Sequence, residues 1–264
     1  MHTQNAVHCF IVKSFLTPTE RYTHATEDFE NIILRYCKFS FRSVAMSSPT
    51  EEGHQKWLSR RRSSVVERKH FDRSIIKDKP ILWMMGKTGS GKGTQCSKLH
   101  ARYGFTHLSS GELMRHEILA NTDRSNFLSE IMKSGKPVPN LIVIEVIARA
   151  IVALAKESTG FVIDGYPLDE QQASEFVDEF GSPNLVLYLE CNNSVLAGRL
   201  NERSNFDDTA EAIANRFEVF TEHTKAVTQK YQAIGIKADK DKEEVFSEIE
   251  KLLQQKLNLK PQID

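Results

Sequence analysis

The stretch Gly86-Lys87-Thr88-Gly89-Ser90-Gly91-Lys92-Gly93-Thr94-Gln95 interleaves glycines with a lysine and hydroxyl side chains. Glycines let successive backbone N–H groups turn inward around one anion. A helix starting near the lysine adds the positive end of its dipole. Lys92 then supplies a point charge to the β- and γ-phosphates of a nucleotide. The general phosphate-loop pattern puts Ser or Thr directly after that lysine. Here Gly93 stands in that place and the hydroxyl follows at Thr94. Gly89, Ser90, Gly91, Lys92, Gly93 and Thr94 are therefore the expected contacts to the phosphates of a nucleotide. Asp164 closes a short apolar run at Asp-Gly. A carboxylate there can hold the water shell of a Mg2+ ion. Arg199 and Arg203 lie four residues apart, which puts two cations on one helix face.

These residues need a frame. Ile81-Leu82-Trp83-Met84-Met85 is a continuous apolar run, as expected of a strand covered on both faces. It leads straight into the glycine-rich loop, and Thr94–Arg102 then reads as a helix closed by Gly104. Similar short runs recur at Phe105–Leu108, Phe161–Ile163 and Leu185–Leu189, with helical stretches such as Asn140–Lys156 between them. That alternation predicts an α/β fold with a parallel sheet between helical layers. Val245, Phe246, Ile249, Leu252, Leu253 and Leu257 recur at helical spacing and form a core face.

Residues 80–260 form the expected domain, and residues 1–79 an extension that is mostly disordered. The extension shows no sustained period and is basic, with 14 Lys or Arg against 9 Asp or Glu. Since the whole chain has formal charge +0, the remainder is acidic. A basic tail can touch RNA, membrane or acidic partners. The plainer reading is a solvated linker, because no recognition motif accompanies it. Met46 followed by Ser-Ser-Pro resembles a fresh N-terminus, with the upstream part read as an alternative start or a gene-model artefact. Arg60-Arg61-Arg62-Ser63-Ser64 has the arginine spacing of basic-directed kinase sites, a string that is also common by chance. Cys9, Cys37, Cys96 and Cys191 lack metal or disulfide spacing and are expected to be reduced in a cytoplasmic protein. The apolar stretch Leu141–Ala155 contains Glu145 and Arg149 and is too short for a membrane span.

Gly-Ser-Gly-Lys-Gly-Thr-Gln at 89–95 resembles the adenylate kinase family, within the nucleoside-monophosphate kinases. The likeness continues at Tyr103–Arg115, Leu128–Met132, Gly135–Pro139 and Gly160–Pro167. The motifs stand in family order from Pro80 to Leu257, and the short cytosolic form is the nearest in character. The resemblance implies a P-loop three-layer α/β/α domain with a helical acceptor-binding region and a lid. It further implies that Ser110, Arg115, Lys136, Pro137, Val138, Gly165 and Gln172 hold AMP. By the same resemblance Arg199 lies over the ATP base, Arg203 reaches its phosphates, and Arg216 serves both transfer and AMP binding.

Three departures stand out. Where the family has arginine after Asp-Gly-Tyr-Pro, this chain has Leu168. Only Ser204-Asn205-Phe206 separates Arg203 from Asp207-Asp208, which makes a very short lid without its phosphate-contacting arginine. The loop over the ATP adenine, near Gly235–Glu243, is shortened. The expected activity is Mg2+-dependent transfer from ATP to AMP by a monomer, with no nucleic-acid or membrane partner. A weakly active or inactive nucleotide-binding scaffold is one alternative and a UMP/CMP kinase another.

Overall fold

A computed structural model describes residues 71–120, 124–201 and 205–262. Five parallel strands form one sheet: β1 (Ile81–Gly86), β2 (Phe105–Ser109), β3 (Gly160–Asp164), β4 (Leu185–Glu190) and β5 (Ile234–Lys237). Their order across the sheet is β2-β3-β1-β4-β5. β1 is therefore central, and the chain switches from one side of it to the other between β3 and β4. In open α/β sheets ligands gather at such a switch, beyond the carboxyl ends of the strands.

β1 explains its own apolar run. Alternate side chains of a strand point to opposite faces. Ile81, Trp83 and Met85 enter one core, packed with α4 (Asn140–Leu154) and α5 (Glu170–Phe180). Leu82 and Met84 enter the other, beneath α1 (Lys92–Tyr103) and α9 (Lys242–Leu257). Val245, Phe246, Ile249 and Leu253 are buried there, as their helical spacing predicts. Trp83 meets Phe176 edge to face at 5.3 Å and Tyr231 at 4.9 Å. The Leu141–Ala155 stretch falls in helix α4, which packs one face into this core with seven buried side chains and leaves Leu141 and Val152 exposed. No described helix is long and apolar enough to cross a membrane.

The remaining helices fill the gaps in the chain order. α2 (Ser110–Leu119) and α3 (Ser125–Ser134) follow β2. α6 (Asn193–Asn201) follows β4, and α7 (Ala210–Val219) runs through a π-helical turn at Phe220–Thr224 into α8 (Lys225–Lys230). Boundaries follow local chemistry. α1 stops at Gly104, whose φ of 69° is the left-handed conformation that glycine adopts freely. Ser109, Asp169 and Thr209 cap α2, α5 and α7 by accepting from Glu112 N, Gln172 N and Ala212 N.

Two expectations need correction. Residues 71–79, assigned to the extension from sequence, are part of the folded unit. A 3-10 turn at Arg73–Ile76 buries Ile76, Phe71 meets Phe180 edge to face at 4.9 Å, and Arg73 Nε donates to Glu179 O at 3.1 Å. The rest of the extension, with Met46, Arg60–Ser64, Cys9 and Cys37, lies outside the described residues. The second correction concerns Gly235, which lies within the edge strand β5. The loop toward the nucleotide side is thus confined to the residues between Lys237 and Lys242.

Candidate active site

The carboxyl ends of β1 and β3 are adjacent, since Met84 is in register with Asp164. The loop after β1 therefore faces the acid that ends β3. Gly86, Gly89 and Gly91 have φ of 146°, 84° and 96°. Such angles turn the backbone back on itself and suit glycine alone. At Gly86 a Cβ would stand 2.7 Å from Ser90 Oγ and 2.9 Å from Leu189 O, so the loop closes on β4 only without a side chain. Gly91 caps α1 with no side-chain hydrogen bond. The first-turn N–H groups of α1 therefore have no side-chain cap drawn across them. Gly93 and Thr94 are exposed there, and a Cβ on Gly93 would meet nothing within 4 Å.

Lys92 folds back over the loop. Its Nζ donates to Gly86 O at 3.0 Å and Lys87 O at 3.1 Å, and lies 3.9 Å from Asp164 Oδ1. The ammonium is thus held between the loop carbonyls and the β3 acid. Asp164 is buried, and His107 Nε2 lies 3.3 Å from its Oδ2. Arg199 ties the loop to the far side of the sheet. Its Nη1 donates to Ser90 O at 3.4 Å and its Nη2 to Ala238 O at 2.9 Å, just past β5.

A second group forms around Asp207. Arg115, on α2, grips it with two parallel hydrogen bonds, Nε to Oδ1 at 3.0 Å and Nη2 to Oδ2 at 3.1 Å. Arg115 Nη1 also donates to Glu112. Arg216, on α7, bonds Asp207 and donates from Nη1 to Asp208 Oδ1 at 2.8 Å. Asp207 has no accessible side-chain surface. Burial alone would raise its carboxyl, but hydrogen bonds from Arg115 and the charges of Arg115 and Arg216 outweigh burial and hold it below the ordinary aspartate range. The two arginines assigned to AMP therefore meet, joined by a carboxylate that sequence reasoning treated only as the edge of the lid. The adjacent acidic pair Asp207-Asp208 was the available signal.

The other acceptor residues divide. Ser110 Oγ donates to Gly165 O at 2.9 Å, so these two expected contacts stand together. Gln172 is buried, and its Oε1 accepts from Leu168 N at 2.8 Å, which engages one end of its carboxamide. Lys136 and Pro137 are exposed, while Val138 packs against the core. They follow Gly135, where a side chain would collide with the backbone of Ala212 on α7. Leu168 is half-buried and brings no charge. Arg203 lies outside the described residues. Between α6 and α7 the described part, residues 205–209, is a tight turn in which Asp208 N donates to Asn205 O at 3.1 Å.

The family model described as adenylate kinase matches residues 84–236, which contain every site residue expected from the sequence. The chain is 40% identical over 177 residues to "Adenylate kinase isoenzyme 5" of Homo sapiens, covering 64% of this chain and 32% of that protein. It is 38% identical over 182 residues to "Adenylate kinase isoenzyme 1" of Sus scrofa, covering 66% of this chain and 94% of that protein. It is 34% identical over 205 residues to "Adenylate kinase 1" of Drosophila melanogaster, covering 74% and 90%. The chain thus spans about a third of the isoenzyme 5 relative and nearly all of the isoenzyme 1 relative. A family model matched over 84–236, with a phosphate loop and a carboxylate at the carboxyl ends of β1 and β3 and two arginines joined at Asp207, places this chain in the adenylate kinase family.

Proposed function

We propose that the chain is a nucleoside-monophosphate kinase that moves the γ-phosphoryl group of ATP to AMP and forms two ADP. The observation that carries this reading is Lys92, held over the glycine-bent loop by two loop carbonyls and 3.9 Å from Asp164. In the transfer, the bond from the γ-phosphorus to the β,γ-bridging oxygen breaks. A bond from an AMP phosphate oxygen to the same phosphorus forms, and no covalent enzyme intermediate is needed. Such chemistry depends on positioning and on stabilising charge spread over the phosphoryl oxygens. Gly89, Ser90, Gly91, Lys92, Gly93 and Thr94 serve the donor phosphates, and Arg199 lies beside them toward the base. Ser110, Arg115, Gly165 and Gln172 serve AMP, with Arg216, Lys136, Pro137 and Val138 at its margins. Arg203 belongs to the same donor set by its position.

The residues fit Mg2+. Asp164 offers a hard oxygen next to the loop, and the exposed Thr94 adds a hydroxyl. Mg2+, when bound, neutralises charge on the nucleotide phosphates. We further propose a monomer acting in the cytoplasm, as the sequence reading expects.

A second reading is a weakly active or inactive nucleotide-binding scaffold. It is favoured by Leu168, which offers no charge, and by the engagement of Arg115 and Arg216 on Asp207. A coupled assay with ATP, Mg2+ and a panel of monophosphates tests both. AMP-dependent ADP formation, well above that with UMP or CMP, is expected. ATP binding without turnover on any monophosphate would favour the scaffold.

A further inference from the structure

Behind Lys92, three side chains that the proposed transfer does not fully use converge. Cys96 lies one turn after Lys92 on α1, His107 is in the middle of β2, and Asp164 ends β3. One ligand atom from each lies within 4.8 Å of the others. The sheet register makes this possible. β2 and β3 run parallel with Ser109 opposite Asp164, and α1 covers both. Cys96 and Asp164 are buried and His107 is half-buried, so water competes weakly for the donors.

From this cluster we infer a transition-metal site, made of Cys96 Sγ, His107 Nε2 and an Asp164 carboxylate oxygen, that takes Zn2+ or a similar borderline-soft ion. One sulfur, one imidazole nitrogen and one carboxylate oxygen suit such ions, whereas Mg2+ is poorly served by a thiolate. Two ligands on a tetrahedral Zn2+ stand about 3.3–3.8 Å apart. His107 Nε2 and Asp164 Oδ2 already stand at 3.3 Å. With all three atoms within 4.8 Å of one another, binding requires at most about 1–1.5 Å of closure by the thiol. Burial pushes the Cys96 thiol well up, so it is protonated in the metal-free protein. Its proton passes to solvent as the sulfur–metal bond forms. Three protein ligands leave a fourth position for water.

The site shares Asp164 with the Lys92 pair and with the proposed Mg2+ shell. A bound Zn2+ draws the carboxylate away from both, so the ion should inhibit transfer. This consequence alone rests on the kinase reading; metal binding does not.

The test uses the full chain with Cys9→Ser, Cys37→Ser and Cys191→Ser, which leaves Cys96 as the sole thiol. Chelator-dialysed protein is titrated with Co2+. A near-ultraviolet thiolate charge-transfer band should grow to saturation at one equivalent and vanish on adding one equivalent of Zn2+. His107→Asn in this background should weaken Co2+ binding at least about tenfold, since even outer partners of metal ligands cost that much. Absence of the band in folded sole-thiol protein overturns the site, as does a band indifferent to His107→Asn. If the triple replacement does not fold, the natural chain decides. Its band must disappear in Cys96→Ser and persist in Cys191→Ser, and the reverse overturns the site. In the coupled assay, micromolar Zn2+ at fixed Mg2+ should slow the natural chain more than Cys96→Ser. A Co2+ band together with turnover that Zn2+ does not slow would overturn the inferred inhibition and leave the metal site standing, whereas a Co2+ band with no turnover on any monophosphate would count against the kinase reading alone.

Discussion

The donor and acceptor sides of this site are built on opposite plans. On the donor side the cation is held by weak partners. Lys92 rests on two carbonyls and a carboxylate 3.9 Å away, in a loop shaped by positive-φ glycines. Phosphate oxygens can replace those partners with little rearrangement. On the acceptor side the cations are already matched. Arg115 binds Asp207 through two bonds, and Arg216 binds Asp207 and Asp208. A monophosphate there must compete with internal carboxylates. The donor half is ready for its ligand, and the acceptor half holds itself together with the same charges that its ligand needs.

Replacements on the two sides should therefore fail in different ways. The largest effect is expected from Lys92→Ala. Turnover should fall by about 10³-fold or more, the scale of a lost phosphate-stabilising cation. ATP heats in calorimetry should shrink strongly while the thermal transition stays cooperative. Unchanged ATP affinity would break the donor half of the comparison. Asp207→Asn should do the reverse and cost mainly stability. Removing one partner from a buried ion pair costs about 3–5 kcal/mol, read as a lower urea midpoint at constant slope.

The same acid gives a pH signature. Its native carboxyl lies below the ordinary value, so its contribution is complete above about pH 3.9 and is lost as pH falls through the native value. Acid titration of stability should accordingly be steeper in the natural chain than in Asp207→Asn. Equal acid limbs would show that the arginine cluster holds no net stabilisation.

A smaller effect tests the frame. A chain beginning at Pro80 lacks buried Ile76 and the edge contact of Phe71 with Phe180. That contribution is about 2 kcal/mol, so Tm should drop by about 5 °C relative to a chain beginning at Phe71. Because the lost segment packs on α5, which carries Gln172, the AMP Michaelis constant should rise more than that for ATP. The smallest change is Leu168→Arg. One charge-assisted hydrogen bond to the acceptor phosphate should lower the AMP Michaelis constant about tenfold. No gain in an intact fold would mean that this position does not face the phosphate.

Legibility in the sequence followed the strength of local signals. β1 and its loop were readable because a five-residue apolar run meets a fixed glycine–lysine spacing, and both reflect short-range geometry. β5 was missed: Ile234–Lys237 is a four-residue edge strand with one fully buried side chain and a glycine inside it. Such a strand has neither alternation nor a continuous apolar run to mark it. The 3-10 turn at Arg73–Ile76 was missed for a related reason. Its anchoring partners, Glu179 and Phe180, are more than a hundred residues away. Asp207 was passed over because its role depends on Arg115, brought close only by tertiary structure. The Cys96, His107 and Asp164 cluster has no sequence spacing at all, since each residue comes from a different element.

The central position of β1 also governs when the site can come into being. Its neighbours in the sheet are Phe161 and Leu185, opposite Ile81 and Leu82. The strand that carries the phosphate loop cannot pair until far later parts of the chain have formed. Non-local parallel pairing closes large loops before contacts reward it, which slows folding. Nucleotide therefore selects only the completed sheet and offers no template to partly folded chains. Added ATP should slow unfolding and leave the early refolding rate unchanged.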